Sequence, residues 1–281
     1  MAHREFDAAL TSSSIVAVRH DANGDHAVHE RVAEETPVAL IYNGVPHVVM
    51  MVTPQDIEDL VLGFSITEGI IESAAELGGV EIVTEKLGFS AYLSVPAARM
   101  AAIETRRRNM AARTGCGLCG AETIGQAIRS LPKVQGVKHV ASQALVRAMA
   151  TLPKLQTLNA ATGATHAAGW AEIDGNVRLV REDVGRHNAL DKLIGALLSS
   201  GQDRASGFVV VTSRASYEMV QKSAAAGIGL IAAVSAPTGF AARTAIESNV
   251  TLVGFARNRG YVVYADNARR ITMDKEWQSW T

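Results

Sequence analysis

The chain has 281 residues, 48% of them hydrophobic, so it is long enough for one large domain or two modest ones with buried cores. Its formal net charge of -1 and pI near 6.7 exclude a general attraction to nucleic acid or to an anionic membrane surface. No apolar run reaches the roughly 18 residues of a membrane helix, and MAHREFDAAL lacks the apolar region of a signal peptide. We therefore expect a cytoplasmic protein with only a local anion site.

The first half of the chain predicts strands around one helix. Two β-rich runs, PVALIYNG and VPHVVMMV, predict a hairpin that turns at Asn43 and Gly44. Thr53 is the expected N-cap of the next helix, with a proline at the first helical position and an acid at the third, and Gly69 lies near the helix end. Strands are then expected at VEIV and FSAYLSV, and a helix over residues 97–113.

The second half predicts an α/β sheet with at least some parallel strands. After a helix at SQALVRAMATL, the strands VRLVRE, GFVVVTS, IGLIAAVS, TLVGFAR and YVVYA alternate with the helices ALDKLIGALLSS, SYEMVQKSAAAG and FAARTAIESN. Gly227 and Asn249 are the expected residues at helix C-termini. We expect a flexible segment over residues 1–35, an N-terminal lobe over 36–130 and a C-terminal α/β lobe over 131–281.

Polar residues follow three of these predicted strands. Ligands of open α/β sheets bind beyond the C-terminal ends of the strands, where this sequence has Ser213, Ser235 and Arg257. Hydroxyls, glycines and arginines in these loops suit phosphate oxygens or a guanidinium clamp. Alternatively, Ser213 and Thr238 cap helices and residues 257–260 form a β-turn. The sequence leaves both interpretations open.

The densest polar run is REDVGRHNALDK, directly after a predicted strand. Helix capping accounts for Asn188 with Asp191, and a solvated charge accounts for Lys192. Capping does not account for the other polar residues of the run, which indicate a site: Glu182, Asp183, Arg186 and His187. A lone His166 in the loop TGATH is more often a hydrogen-bonded core histidine, but a second histidine loop favours a functional role.

The two cysteines, Cys116 and Cys119, lie in the glycine-rich RTGCGLCG, ahead of a helical segment. A closed zinc site needs four ligands and this pair supplies two, so His166 and His187 would complete it only by tertiary contact and we expect no metal. A zinc deaminase needs Pro-Cys-x-x-Cys after His-x-Glu, and Gly115 stands in place of that proline. A predicted helix instead of a strand precedes the pair, which disfavours a thioredoxin-type dithiol.

Thiolate chemistry remains for this cysteine pair. Glycines let the loop project, and a helix N-terminus with nearby arginines lowers the pKa of a thiol below its free value of about 8.5. An exposed thiolate on a mobile loop can accept a sulfur atom and pass it on. Two inert buried cysteines are disfavoured, because the surrounding glycines do not build a core.

Together these motifs resemble those of the FdhD family, the formate dehydrogenase accessory sulfurtransferases. The resemblance runs from about Pro37 to Tyr264, through PVALIYNGVPHVVMMVTPQDIEDLVLGFSITEGII, RTGCGLCG, THAA, EDVGRHNALDK, SRASYEMVQKSA, SAPT and TLVGFAR. It implies an α/β fold with a cytidine-deaminase-like mixed sheet flanked by helices, a smaller N-terminal α+β lobe, and a homodimer.

The resemblance also implies a function. Such a protein takes persulfide sulfur from a cysteine desulfurase and delivers it to the molybdenum or tungsten bis(molybdopterin guanine dinucleotide) cofactor of apo formate dehydrogenase, which it binds as a substrate. In this family Cys116 would carry the persulfide and Cys119 would be a relay or resolving thiol. The family's cofactor-binding segment falls on Phe255, Ala256, Arg257, Asn258, Arg259 and Gly260. Further candidates for cofactor contacts are Ser213, Ser235, His166 and His187.

Two other functions stay open on the sequence alone. A chaperone would bind the molybdenum cofactor and dock it into formate dehydrogenase without sulfur transfer, using the cysteines only to hold it. A zinc-dependent nucleoside hydrolase would contain zinc in near-stoichiometric amount. Sulfur uptake on Cys116 is expected only of a sulfurtransferase.

Overall fold

The structure, a computed structural model, describes residues 10–100, 131–257 and 260–272. Its first two strands, β1 (Ser12–Asp21) and β2 (Gly24–Ala33), pair antiparallel along their whole length. The sequence predicts a flexible segment here, whereas residues 12–33 form this hairpin. Both of its faces carry polar residues, and Arg19 pairs across the strands with Glu30 at 2.8 Å. Such cross-strand pairs stabilise a hairpin without the buried apolar face that a sequence pattern reveals.

A four-stranded sheet with one long helix forms the next part of the chain. Its elements are β3 (Thr36–Tyr42), β4 (Val45–Val52), α1 (Ile57–Thr67), a 3-10 helix (Ala74–Glu76), β5 (Gly79–Glu85) and β6 (Gly88–Ser94). The strand order is β4-β3-β6-β5, with β3 and β6 parallel. The predicted hairpin is confirmed, because Asn43 and Gly44 turn it with φ of 47° and 79°. Both predicted strands after the helix are confirmed as well.

A six-stranded sheet forms the second part. Its strands are β8 (His166–Glu172), β9 (Val177–Asp183), β10 (Gly207–Val211), β11 (Leu230–Ala233), β12 (Thr251–Arg257) and β13 (Gly260–Ala265). The order is β13-β12-β11-β10-β8-β9, in which β10, β11 and β12 run parallel and the other three pairings are antiparallel. A two-residue strand, β7 (Val140–Ala141), pairs separately with β14 (Ile271–Thr272).

Helices cover both faces of this larger sheet. They are α2 (Ser142–Thr151), a 3-10 helix (Leu152–Leu155), α3 (Thr157–Thr162), α4 (Arg186–Ser199), α5 (Tyr217–Ala225) and α6 (Gly239–Ser248). One apolar cluster joins α4, α5 and α6 to one face, and another joins α2 to the opposite face. The predicted mixed α/β sheet flanked by helices is therefore confirmed, and Asn249 ends α6 with φ of 58° as expected. The cytidine-deaminase-like description stays a prediction.

The two sheets meet where α1 packs on α4. A Cβ added at Gly63 of α1 would collide with the carbonyl oxygen of Asp191, and one added at Gly195 of α4 would collide with that of Asp59. Only glycine allows this close approach of two helix backbones. The predicted lobe boundary at residue 130 lies outside the described residues, so the division into domains stays a prediction. Most of segment 97–113 lies outside them too. Within the described ranges, no helix is both long and apolar enough to cross a membrane.

Buried charges reinforce the contact between α1 and the larger sheet's helices. Lys222 of α5 donates to Asp191 at 2.8 Å, to the hydroxyl of Thr67 at 3.1 Å and to Glu68 at 3.1 Å. Gln221 donates to the carbonyl oxygen of Thr67 at 2.8 Å. These groups are largely shielded from water, so each charge depends on its partner across the contact.

We expect Lys222→Met to lower the free energy of unfolding by about 3–5 kcal/mol, because it leaves Asp191 buried and unpaired. Urea denaturation measures this change. The double variant Lys222→Met/Asp191→Leu should recover a large part of the loss. As a control, Arg19→Met removes only a surface pair and should cost less than about 1 kcal/mol. Equal losses in the buried and surface variants would contradict this view of the contact.

Candidate functional site

The ends of three parallel strands are joined by backbone hydrogen bonds at one edge of the larger sheet. The N–H of Val234 donates to Val211 at 3.1 Å, that of Thr238 to Ala215 at 3.0 Å, and that of Phe255 to Ser235 at 3.2 Å. Ser213 and Ser235, in the loops after β10 and β11, and Arg257, at the end of β12, are therefore neighbours, as the sequence predicts for strands that run parallel.

Two further strands reach the same edge: β8 begins there and β9 ends there. Because β8 runs antiparallel to β10, its first residue, His166, lies at this edge, and it pairs in register with Asp183 at the end of β9. The turn after β9 then leads into α4 with Arg186 and His187. We call this collection the site edge: residue 166, and residues 183–188, 213–218, 235–240, 254–257 and 260.

The sequence offers helix capping as an interpretation of Ser213 and Thr238, and the structure confirms it for Thr238 only. Thr238 accepts a hydrogen bond from the N–H of Ala241 at 3.2 Å and caps α6. Ser213 does not cap α5, because the N-cap there is Ser216. Ser213 is buried and donates to the carbonyl oxygen of Arg214 at 2.9 Å. Ser235 lies exposed at the site edge.

An aromatic ring and a guanidinium lie together at the end of β12. Phe255 has a φ of 50°, at an irregularity in the pairing of β12 with β13. A bulky residue with positive φ is strained. Here Phe255 is 39% exposed, and the guanidinium carbon of Arg257 lies 5.9 Å from the centroid of its ring. The pair offers a flat apolar surface and a positive charge to one ligand.

A cavity of about 390 Å³ lies between α2 and the strand ends, and Arg257 is the member of this pair that lines it. Its size lies within the usual range for small-molecule sites. The residues that line it on the described chain are mostly apolar: Leu145, Met149, Val234, Ala256, Arg257 and Tyr261. Arg257 brings the one positive charge of this group, and Gly260 also lines the cavity. Three of the predicted cofactor residues thus border one cavity: Ala256, Arg257 and Gly260.

The two acids at the end of β9, Glu182 and Asp183, are buried and hold the turn that follows this strand. Glu182 accepts hydrogen bonds from the N–H groups of Leu158 at 2.9 Å and Asn159 at 2.8 Å, at the start of α3. Asp183 is fully buried and accepts from the N–H of Gly185 at 2.7 Å. These carboxylates orient the turn that presents Arg186 and His187, and they are not themselves exposed to a ligand.

Both the capping interpretation of Asn188 with Asp191 and the solvated-charge interpretation of Lys192 are wrong. Helix α4 begins at Arg186, and Asn188 donates to the carbonyl oxygen of Met51 at 2.9 Å. Lys192 is fully buried, with its Nζ 2.7 Å from Asp183 Oδ2. These side chains serve the contact with the smaller sheet, which the local sequence pattern does not reveal.

Thr53 is also not the helix cap that the sequence predicts. The N-cap of α1 is Asp56, with φ of 54°. Thr53 instead donates its N–H to Asp183 at 3.0 Å and accepts from Lys192 at its carbonyl oxygen at 2.8 Å. Its Oγ1 accepts from the N–H of Val184 at 3.1 Å. Thr53, which directly follows the smaller sheet's strand β4, thus holds the turn between β9 and α4 in place.

The two histidines of the site edge have different surroundings. His187 Nε2 lies 2.9 Å from a Glu218 oxygen and 3.5 Å from Ser216 Oγ. Burial lowers the pKa of His166, and the neighbouring charges of Arg186 and His187 lower it further, against the opposite effect of Asp183. His166 is therefore neutral at neutral pH, and one of its ring nitrogens can accept a hydrogen bond.

One residue of the site edge was missed, and other candidates lie outside the described residues. Glu218 belongs to the site edge, yet in the sequence it looks like an ordinary surface charge near a helix start. Cys116, Cys119, Asn258 and Arg259 fall outside the described ranges, so their predicted roles stay predictions. In those ranges, no three His, Asp or Glu side chains are grouped closely enough to hold a metal ion.

Comparison with known proteins gives consistent results. The sequence model of the FdhD/NarQ family matches residues 33–272. A protein of Bordetella petrii named "Sulfur carrier protein FdhD" is 51% identical over 257 residues, which are 92% of each chain. A protein of the same name from Cupriavidus necator is 49% identical over 264 residues, covering 94% of this chain and 92% of the relative. The family resemblance of the sequence motifs is thus confirmed.

A solved structure shares the fold. The crystal structure of a "putative formate dehydrogenase accessory protein" from Desulfotalea psychrophila superposes with a TM-score of 0.72 at 25% sequence identity. The match covers 94% of this chain and 100% of that chain. The arrangement of both sheets described above is therefore that of an existing protein fold.

We expect Thr53→Val to lower the free energy of unfolding by about 1–3 kcal/mol, because the shape is kept while the N–H of Val184 loses its acceptor. Thr53→Ser is the matched control, since it keeps the oxygen and removes only a methyl group. Denaturant unfolding of both variants measures the difference. If the serine variant were the less stable of the two, packing and not the hydrogen bond would hold the turn.

Proposed function

The chain belongs to the FdhD/NarQ family, and on this premise we propose that it is a sulfur carrier protein that serves formate dehydrogenase. More specifically, we propose a cytoplasmic, homodimeric sulfurtransferase. It accepts persulfide sulfur from a cysteine desulfurase on Cys116. It then transfers this sulfur to the molybdenum or tungsten bis(molybdopterin guanine dinucleotide) cofactor, bound as a substrate.

The observation that carries this proposal is the convergence of the strand ends around Phe255, Arg257 and the neighbouring cavity. A guanine dinucleotide combines a flat base with negatively charged phosphates. An exposed ring suits the base by stacking, and a guanidinium suits phosphate oxygens through charge-assisted hydrogen bonds. The site edge therefore supports the binding half of the proposal.

The sulfur-accepting step is assigned to Cys116 by the family resemblance. Its thiolate attacks the outer sulfur of the desulfurase persulfide. The sulfur–sulfur bond of the donor breaks, the desulfurase cysteine leaves as a thiolate, and Cys116 becomes the persulfide. A low thiol pKa favours this step, because only the thiolate attacks.

Cys119 has a role as the resolving thiol in this scheme. Its thiolate attacks the inner sulfur of the Cys116 persulfide, which forms a Cys116–Cys119 disulfide and releases the outer sulfur as hydrosulfide next to the bound substrate. Neutral His166, at the site edge, is the base proposed to take the proton from the Cys119 thiol before it attacks.

We predict that a cysteine desulfurase with cysteine adds one sulfur atom to Cys116, seen as about +32 Da on the intact protein and on its peptide by mass spectrometry. The variant Cys116→Ala should show no such addition. Cys119→Ala is the matched control and should still accept sulfur, because acceptance needs only the first thiolate. A wild-type protein that activates formate dehydrogenase without taking up sulfur would instead be a cofactor-binding chaperone.

We predict that Phe255→Leu weakens the binding of GDP, a fragment of the proposed substrate, by about tenfold, because stacking on an aromatic ring contributes about 1–3 kcal/mol per base. Phe255→Tyr keeps the ring and should bind GDP like the wild type. Isothermal titration calorimetry measures both affinities. An unchanged affinity in the leucine variant would place the guanine base elsewhere.

A further inference from the structure

Three nitrogen-bearing side chains at the site edge have no acceptor. Arg186, at the first position of α4, has its Nε buried without a hydrogen-bond partner. Within the part of the chain that the structure describes, neither Arg214 nor His166 has a side-chain hydrogen bond or ion pair. Buried donors in folded proteins are normally satisfied, so the unpaired Arg186 Nε requires an explanation.

The nearby carboxylates are engaged elsewhere. Glu218 lies 2.9 Å from His187, Asp183 pairs with Lys192 at 2.7 Å, and Glu182 binds N–H groups of α3. Arg186 and Arg214 are neighbours, because His187, next to Arg186, lies 3.5 Å from Ser216, two residues after Arg214. Burial lowers the pKa of Arg186 and the charge of Arg214 lowers it further, while Glu218 opposes both effects. Because this carboxylate, Glu218, is paired with His187, this corner of the site edge keeps an excess of positive charge.

The corner lies on the β10 side of the site edge, whereas Phe255 and Arg257 lie on β12. One strand, β11, separates the two, so their strand ends are roughly 10 Å apart at the usual spacing of neighbouring strands. The corner is therefore a separate position along the same edge, and the proposed cofactor-binding segment does not include it.

We infer that Arg186, Arg214 and His166 form a binding site for a phosphate or diphosphate group. Two guanidinium groups supply planar, charge-assisted donors to its oxygens, and the imidazole supplies one more hydrogen-bonding nitrogen. The start of α4 lies at the same corner, and its dipole favours an anion there. Binding of the oxyanion gives the buried Nε of Arg186 its missing acceptor. Only the identification of this group with the diphosphate of a guanine nucleotide rests on the proposed function.

Inorganic pyrophosphate tests the anion site directly by isothermal titration calorimetry on the full chain. We expect binding that weakens as salt is added and that falls about tenfold or more in R214Q and in R186Q. R178Q is the matched control, because Arg178 is an exposed arginine paired only with Glu172 at the far end of β9. Its affinity should equal that of the wild type.

Arg214 is exposed, so R214Q is expected to fold, and thermal melts of each variant verify this. R186K retains the charge without the planar fork and should bind pyrophosphate with intermediate affinity. Absence of pyrophosphate binding in the wild type, or equal affinities in wild type, R214Q and R186Q, would overturn the inference.

GDP and guanosine, titrated in parallel, distinguish a nucleotide from a free diphosphate. If the diphosphate belongs to a nucleotide, R214Q weakens GDP as it weakens pyrophosphate and leaves guanosine unchanged. If R214Q weakens pyrophosphate alone, the site takes a free diphosphate; both results support the anion site. Failure of wild-type protein to take up sulfur on Cys116 would overturn the proposed function and leave the pyrophosphate result standing.

Discussion

The ion pair between Lys192 and Asp183 is the interaction on which the site edge depends. Both side chains are fully buried, and removing such charges from water costs several kcal/mol for each. Burial lowers the pKa of Lys192, and Asp183 opposes that shift. The cost is offset because Thr53, in the region of the smaller sheet, bonds to both charges. The turn that presents Arg186 is thus positioned by a contact between distant parts of the chain.

The geometry of the sheet explains why binding groups collect at this one edge. Parallel β10, β11 and β12 end side by side, and antiparallel β8 begins there, so residues far apart in sequence become neighbours. An exposed ring with a guanidinium lies on β12, and two further guanidinium groups, those of Arg186 and Arg214, lie at the start of α4 and after β10. A flat base and several phosphates would match these two positions, in keeping with the guanine dinucleotide that we propose as the ligand.

Much of the fold is predictable because hydrophobic periodicity and turn residues report local structure. The β3–β4 hairpin, the alternating strands and helices after β9, and the end of α6 at Asn249 all follow from such patterns. Strand β8, HAAGWAE, was missed because alanine and glycine give little indication of a strand. Thr53, Asn188 and Lys192 were misassigned because each of them bonds across the contact between the two sheets, to a residue far away in the sequence. The loops of the site edge were predictable, because residues after parallel strands meet. Their unpaired arginines were not, because pairing depends on where every carboxylate points.

The central claim is that sulfur held by the protein passes to a cofactor bound at the site edge. The most direct measurement loads Cys116 with radioactive sulfur from the desulfurase, removes the desulfurase, and adds formate dehydrogenase whose cofactor lacks the sulfur ligand. Our account predicts that the label leaves the protein and is recovered with the cofactor as formate dehydrogenase becomes active. Activation while the label stays on Cys116 would contradict it.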